Sequence, residues 1–165
     1  YKMKLFYQGI LLSLIITILD QFSKYYIFDI LSNTPNKMII ISSFFNLVMV
    51  KNPGVSFGMF TNLENGQIIL SSVTILITIF LIFWLHRANN KILAVGLSLI
   101  IGGAIGNIID RVQFGAVYDF LDFYYNDFHW PAFNIADSSV FIGVIFILLE
   151  DFLITKEVKI DDNNQ

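Results

Sequence analysis

From Ile68 to Leu85 the chain runs without a charged side chain, and it does so again from Ile92 to Ile109. At about 1.5 Å of rise per residue, a helix over either stretch is roughly 27 Å long, close to the hydrocarbon thickness of a bilayer. Leu5 to Leu19 is also free of charge, and its apolar character continues past Asp20 toward Ile27. The last apolar stretch, Ser138 to Leu149, reaches spanning length when it starts near Ile135 and ends near Ile154. In lipid every backbone N–H and C=O must be satisfied inside the protein, which leaves helices or a closed barrel. Barrel strands alternate polar and apolar residues, and these runs do not. Composition agrees: 56% of residues are hydrophobic and 14% charged, against about 25% charged in soluble domains. The expected fold is an all-α integral membrane protein with four transmembrane helices, at about 5–27, 68–86, 92–110 and 135–154. Residues 1–155 make one membrane domain, and 156–165 a polar, unordered cytoplasmic tail.

A cleaved signal peptide is the competing reading of the first stretch. It lacks a small-residue cleavage site, since Asp20-Gln21-Phe22-Ser23-Lys24 follows the apolar core. The sequence opens on Tyr1 rather than Met, as a trimmed or altered N-terminus would.

Orientation follows from the basic residues beside the spans. Lys2, Lys4, Arg87, Lys91, Lys156 and Lys159 fall on one side, and Lys24, Lys37, Lys51 and Arg111 on the other. The majority places both termini in the cytoplasm and leaves two outer segments, about 29–67 and 112–134. In the first, Met38 to Ile41 and Phe44 to Val50 read as short strands, and Asn52-Pro53-Gly54 as a turn. In the second, Phe120, Phe123, Tyr124, Tyr125, Phe128 and Trp130 suit the headgroup zone.

Several functions lose their chemistry at once. The net charge is −3 with no basic run, so nucleic acid is not expected as a partner. There is no cysteine, which removes disulfides and thiolate sites. His86 and His129 show no ligand spacing, so neither a metal nor a cofactor is expected.

What remains are polar clusters at the ends of two spans. Gly102 and Gly106 share helical spacing with Asp110, and Gly103 and Asn107 with Arg111. The glycines read first as a close-packing face. Asn107 and Arg111 project from the same buried side and need partners. Asp119 and Asp122 follow, with Asp122 read as a solvated loop residue. Asn134 and Asp137 each suit the start of the last helix, where an anion is favoured. Asp20 and Lys24 form an i,i+4 pair at the outer end of the first helix. Carboxylates beside a bilayer are costly and are usually kept for function. Two of them brought together share one proton, so one can take a proton from water while the other donates to a carbonyl. On these residues alone Asp119 and Asp137 also fit a loop and a helix cap, and a transporter or proton-conducting protein is the rival function.

Five blocks, in this order, resemble the lipoprotein signal peptidase (signal peptidase II) family. They are Asp20-Gln21-x-x-Lys24, Asn52-Pro53-Gly54-Val55-Ser56-Phe57-Gly58, Gly102 through Arg111, Val117-Tyr118-Asp119-Phe120, and Phe133-Asn134-Ile135-Ala136-Asp137-Ser138. The resemblance implies a membrane aspartic endopeptidase without metal or cofactor. Its substrates are diacylglyceryl-modified prolipoproteins, cut on the N-terminal side of the lipid-modified cysteine. Asp119 and Asp137 take the catalytic positions. Asn52, Asn107, Arg111 and Asn134 match positions that hold substrate or globomycin-type inhibitors, and Asp20, Lys24, Gly54, Gly106 and Asp110 match supporting ones. The implied fold adds a small extracytoplasmic β-cradle, at about 37–60, and a mobile segment at 62–67 or in part of the preceding loop. The implied location is the bacterial cytoplasmic (inner) membrane, with membrane lipid around the site and the active site near the outer face. Pro53, Ser56 and Tyr118 depart from the family pattern and touch no charged position.

Overall fold

The computed structural model describes residues 1–54 and 66–163, with side chains through Leu153. Residues 55–58 of the second motif block, the rest of the cradle region to 60, and 62–65 of the implied mobile segment lie outside the described residues. The elements run α1 (Lys2–Ser32), a 3-10 turn (Pro35–Lys37), β1 (Met38–Ser42), β2 (Phe45–Asn52), α2 (Gly66–Arg87), α3 (Lys91–Phe114), β3 (Val117–Tyr125), β4 (Phe128–His129) and α4 (Ile135–Asn163). The protein is mostly helical, with one small antiparallel sheet. Among the described residues, α1, α2 and α3 are long and apolar enough to cross a membrane. Their outward faces are apolar: Ile68, Leu76, Phe80 and Phe83 of α2 are all exposed, as a lipid solvent allows.

Helix α3 is the hub, packed on α1, α2 and α4. Small residues permit this. A Cβ on Gly102 would stand 2.7 Å from the Ser13 carbonyl of α1, and one on Gly103 would collide with the Ala136 carbonyl of α4. Gly96 and Gly143 cross reciprocally, each with the other's carbonyl where a side chain would go. At such separations hydroxyls reach across: Ser13 Oγ donates to the Ser98 carbonyl at 2.8 Å, Thr17 Oγ1 to that of Gly102 at 3.0 Å, and Ser139 Oγ to that of Leu99 at 2.7 Å. With no hydrophobic drive between helices in lipid, close packing and such hydrogen bonds supply the cohesion. Leu81, Leu85, Leu93, Leu97 and Ile101 fill the space around α3 toward the far end.

The sheet order is β1-β2-β3-β4. Strand β3 extends the sheet beyond the expected 37–60. Half the sheet comes from residues 117–129, and Asp119 and Asp122 are strand residues. The pattern hid this because both carboxylates are buried against amides of β2: Asn46 pairs with Asp122, and Asn52 reaches Asp119. The solvated reading of Asp122 is therefore wrong. It also bonds His129 Nδ1 at 2.8 Å.

Two local signals set the path into and out of the sheet. Gly115 ends α3 in the left-handed region, at φ 67°, and its N–H donates to the Arg111 carbonyl. After the β3–β4 turn the chain folds back, and Leu121 and Phe133 exchange backbone hydrogen bonds at 2.9 and 3.1 Å. That return delivers Asn134 and the start of α4 to Asp119. At its other end α4 continues to Asn163, through the segment expected to be an unordered tail. Lys and Glu are good helix formers, so the polar composition beyond residue 155 does not stop the helix.

Candidate active site

The polar clusters meet where α1, α3, β3 and the start of α4 converge. Helix α1 contributes Asp20, Gln21 and Lys24. The Lys24 ammonium is buried between two carboxylates, 2.7 Å from Asp20 Oδ2 and 2.7 Å from Asp110 Oδ2. Each carboxylate is bonded elsewhere too. Asp20 Oδ1 accepts from the Ala136 N–H at 2.9 Å, and Asp110 accepts from the Tyr118 N–H at 3.0 Å and from Gln21 Nε2 at 2.8 Å. A buried ion group survives when its remaining lone pairs are met, and here they are. Gly106 makes room for it, since a Cβ there would press on Asp20.

Lys24 Nζ also donates to Asn107 Oδ1 at 3.2 Å. Asn134 Nδ2 donates to the same oxygen at 3.2 Å, so the Asn107 amide has its NH2 turned the other way, onto Asp137 Oδ1 at 2.8 Å. Asn134 stands just before α4 and is fully buried. Its Oδ1 accepts from the Asp137 N–H at 2.9 Å, and its own N–H donates to Asp137 Oδ2 at 3.2 Å. This reciprocal cap answers both helix-start readings: Asn134 is the capping residue and Asp137 sits in the first turn.

Asp119 closes the site from β3. It is 2% exposed. Asn134 Nδ2 donates to its Oδ1 at 2.7 Å, and Asn52 Nδ2 to its Oδ2 at 3.1 Å. Asn52 is itself fixed by the Gly54 N–H, which donates to Asn52 Oδ1 at 3.1 Å. Asn134 thus touches both Asp119 and Asp137. Burial first, and then the neighbouring Asp137 charge, push the Asp119 carboxyl up to about 7. Arg111 faces Asp137, Asp110 and Asp119. Its Nη1 makes one long bond, 3.5 Å to the Asn107 carbonyl, and its Nε is buried without a partner among the described residues.

All the candidate residues read from the sequence therefore lie in one connected network. Sequence reasoning assigned no role to Gln21, which ties Asp20, Asp110 and the Gly106 carbonyl together, nor to the backbone N–H groups of Ala136 and Tyr118. Backbone donors leave no mark in a side-chain pattern. Gln21 had one visible signal, its place beside Asp20 in the first motif block. Glu150 stays apart, bonded to Asn90 Nδ2 at 2.6 Å between α3 and α4. Among the described residues there is no group of His, Asp and Glu that could hold a metal.

Two carboxyls that share Asn134 as a hydrogen-bond donor can hold a single proton and exchange it with a water and a carbonyl. Comparison with known proteins decides the family. A model described as "Signal peptidase (SPase) II" matches residues 12–153. The chain belongs to the signal peptidase II family. It is an aspartic protease and an integral membrane protein. The lipoprotein signal peptidase of Caulobacter vibrioides is 44% identical over 137 residues, covering 82% of this chain and 81% of the relative. That of Rickettsia akari is 42% identical over 149 residues, covering 88% and 76%. A solved bacterial membrane enzyme, determined in meso at 2.3 Å, superposes with a TM-score of 0.78 at 33% identity, over 91% of this chain and 90% of that one. A second, at 1.9 Å, gives 0.73 at 34% identity, over 87% and 91%. Transport or proton conduction has no support among these relatives.

Proposed function

We propose that Asp119 and Asp137 are the catalytic pair with which this signal peptidase II cuts prolipoproteins, on the N-terminal side of a diacylglyceryl-modified cysteine. The observation that carries the reading is the shared hold of Asn134 on both carboxyls. It keeps two acidic groups in one pocket, where like charge favours a singly protonated pair.

Hydrolysis then runs in balanced steps. One carboxylate takes a proton from water as the water oxygen bonds to the scissile carbonyl carbon. The carbonyl π pair takes the proton of the other carboxyl, giving a neutral diol. Collapse returns both protons: the first carboxyl protonates the leaving nitrogen as the C–N bond breaks, and the second takes a proton from a diol hydroxyl. Asn52, Asn107, Arg111 and Asn134 position the substrate, and the partner-poor Arg111 guanidinium is the donor best placed to hold a peptide carbonyl. Asp20, Lys24, Gly54, Gly106 and Asp110 hold those groups in place. Globomycin-type inhibitors compete for the same pocket.

The setting we infer is the bacterial inner membrane, with α4 as a fourth crossing, both termini cytoplasmic and the pair near the outer face. The catalytic carboxyls sit where the substrate's own signal helix and acyl chains can approach through lipid and water can approach from the surface. Cleavage of a diacylglyceryl-modified lipobox peptide beside its unmodified form tests this. The account expects the modified peptide to be cut before the cysteine and the unmodified one to be a far poorer substrate. Equal cleavage of both would reject the lipid requirement.

A further inference from the structure

We propose that the pair is built unequal: Asp119 carries the shared proton and gives it to the scissile carbonyl, and Asp137 is the anion that takes the proton of the attacking water. The proposal rests on the catalytic reading above and adds the division of labour within it.

Four features of the site separate the two carboxyls. The first is backbone. Asp137 lies in the first turn of α4, where unpaired N–H groups and the helix dipole favour negative charge. Asp119 lies in a strand, which offers no such field. The second is the reciprocal cap. The Asp137 carboxylate accepts from the Asn134 N–H, a charge-assisted hydrogen bond that is stronger to the anion than to the neutral acid.

The third is the Asn107 amide. Its rotation is fixed from the far side, because Oδ1 receives both Lys24 Nζ and Asn134 Nδ2. The NH2 group therefore has to face Asp137, which must accept. The buried Asp20–Lys24–Asp110 group reaches Asp137 through this amide. The fourth is burial. Asp119 is almost fully enclosed, which disfavours its charged form, whereas Asp137 is only partly buried.

The charged groups that face Asp119 bear this out. Asp137 from α4 opposes its ionisation. Lys24 from α1 favours it, but Lys24 is already held by Asp20 and Asp110, and Arg111 from α3 faces Asp137 as well as Asp119. The amide donors also leave Asp119 a place for the proton. Oδ1 takes the short bond from Asn134, and Oδ2 takes only the longer one from Asn52, so the hydroxyl belongs on Oδ2.

The test is a carboxyl infrared difference spectrum of the full chain in lipid nanodiscs near neutral pH, with 13C-labelled aspartate, for the wild type, Asp119→Asn and Asp137→Asn. It needs no turnover, so it reads inactive variants. The wild type should show a protonated carboxyl band that disappears in Asp119→Asn and persists at lower pH in Asp137→Asn. A band that survives Asp119→Asn and disappears in Asp137→Asn would reverse the assignment. A wild type without any band sensitive to either substitution would overturn it. Failure of the catalytic reading looks different: one of the two variants would still cleave precursor, whatever its spectrum. A thermal melt of each variant, and retention of the other aspartate bands, show that the site is still folded.

Discussion

Asn134 and Asp137 cap one another: the Asp137 N–H donates to Asn134 Oδ1 at 2.9 Å, and the Asn134 N–H donates to Asp137 Oδ2 at 3.2 Å. A motif that commonly begins a helix here also aims the rest of the Asn134 amide at Asp119. Local helix-start chemistry and the geometry of the acidic pair are thus the same hydrogen bonds.

Asn134→Ala should for that reason fail in two ways. Loss of a capping side chain costs about 1 kcal/mol. Activity should fall much further than that loss of stability explains, by about 10²–10⁴-fold, because both carboxyls lose their common anchor. Asn134→Asp keeps the capping oxygen but sets a third carboxyl against Asp119, the Asn107 Oδ1 and the Tyr118 carbonyl, so it should recover neither the melting temperature nor turnover. Melting curves and initial rates on one preparation check both.

The pH dependence has a defined sign. The Asp119 carboxyl is raised to about 7, and the proposed mechanism needs it protonated. The kcat/KM of the free enzyme should therefore fall as pH rises through about 7. In Asp119→Glu this alkaline limb should move, and in an outlying variant such as Glu150→Gln it should not.

Stability depends on the same group with the same sign. In the unfolded chain Asp119 ionises near its ordinary value of 3.8, and in the fold it stays neutral to about 7. The fold binds the proton more tightly, so stability declines as pH rises across that window and levels off above it. Asp119→Asn removes this term. The variant should melt higher than wild type above about pH 7, with the difference shrinking toward pH 4, when both are followed in the same detergent.

Lys24 is buried between Asp20 and Asp110. Lys24→Met should destabilise by about 3–5 kcal/mol, because two carboxylates are left without their cation. Asp110→Asn in that background should recover part of the loss, as measured by denaturation in a double-mutant cycle.

How much of this was legible in the chain differs by element. Ile68 to Leu85 and Ile92 to Ile109 announce helices because lipid permits few other structures. Gly103 announces close packing, and its neighbour is the Ala136 backbone, whose identity only the fold supplies. Strand β3 was illegible because Asp119 and Asp122 are buried in it by Asn52 and Asn46, partners that are remote in sequence. The motif blocks pointed to most of the site's side chains. They could not show that the Asn107 amide is pinned by Lys24 on one side and presented to Asp137 on the other.

The most direct measurement is cleavage of a diacylglyceryl-modified precursor by Asp119→Asn and by Asp137→Asn, each purified, folded and assayed beside wild type with chelator present. Wild type should remain active with chelator, and each variant should lose turnover by at least about 10²-fold. Near-normal cleavage by either variant, or wild-type activity abolished by the chelator and restored by zinc, would contradict a two-carboxyl mechanism.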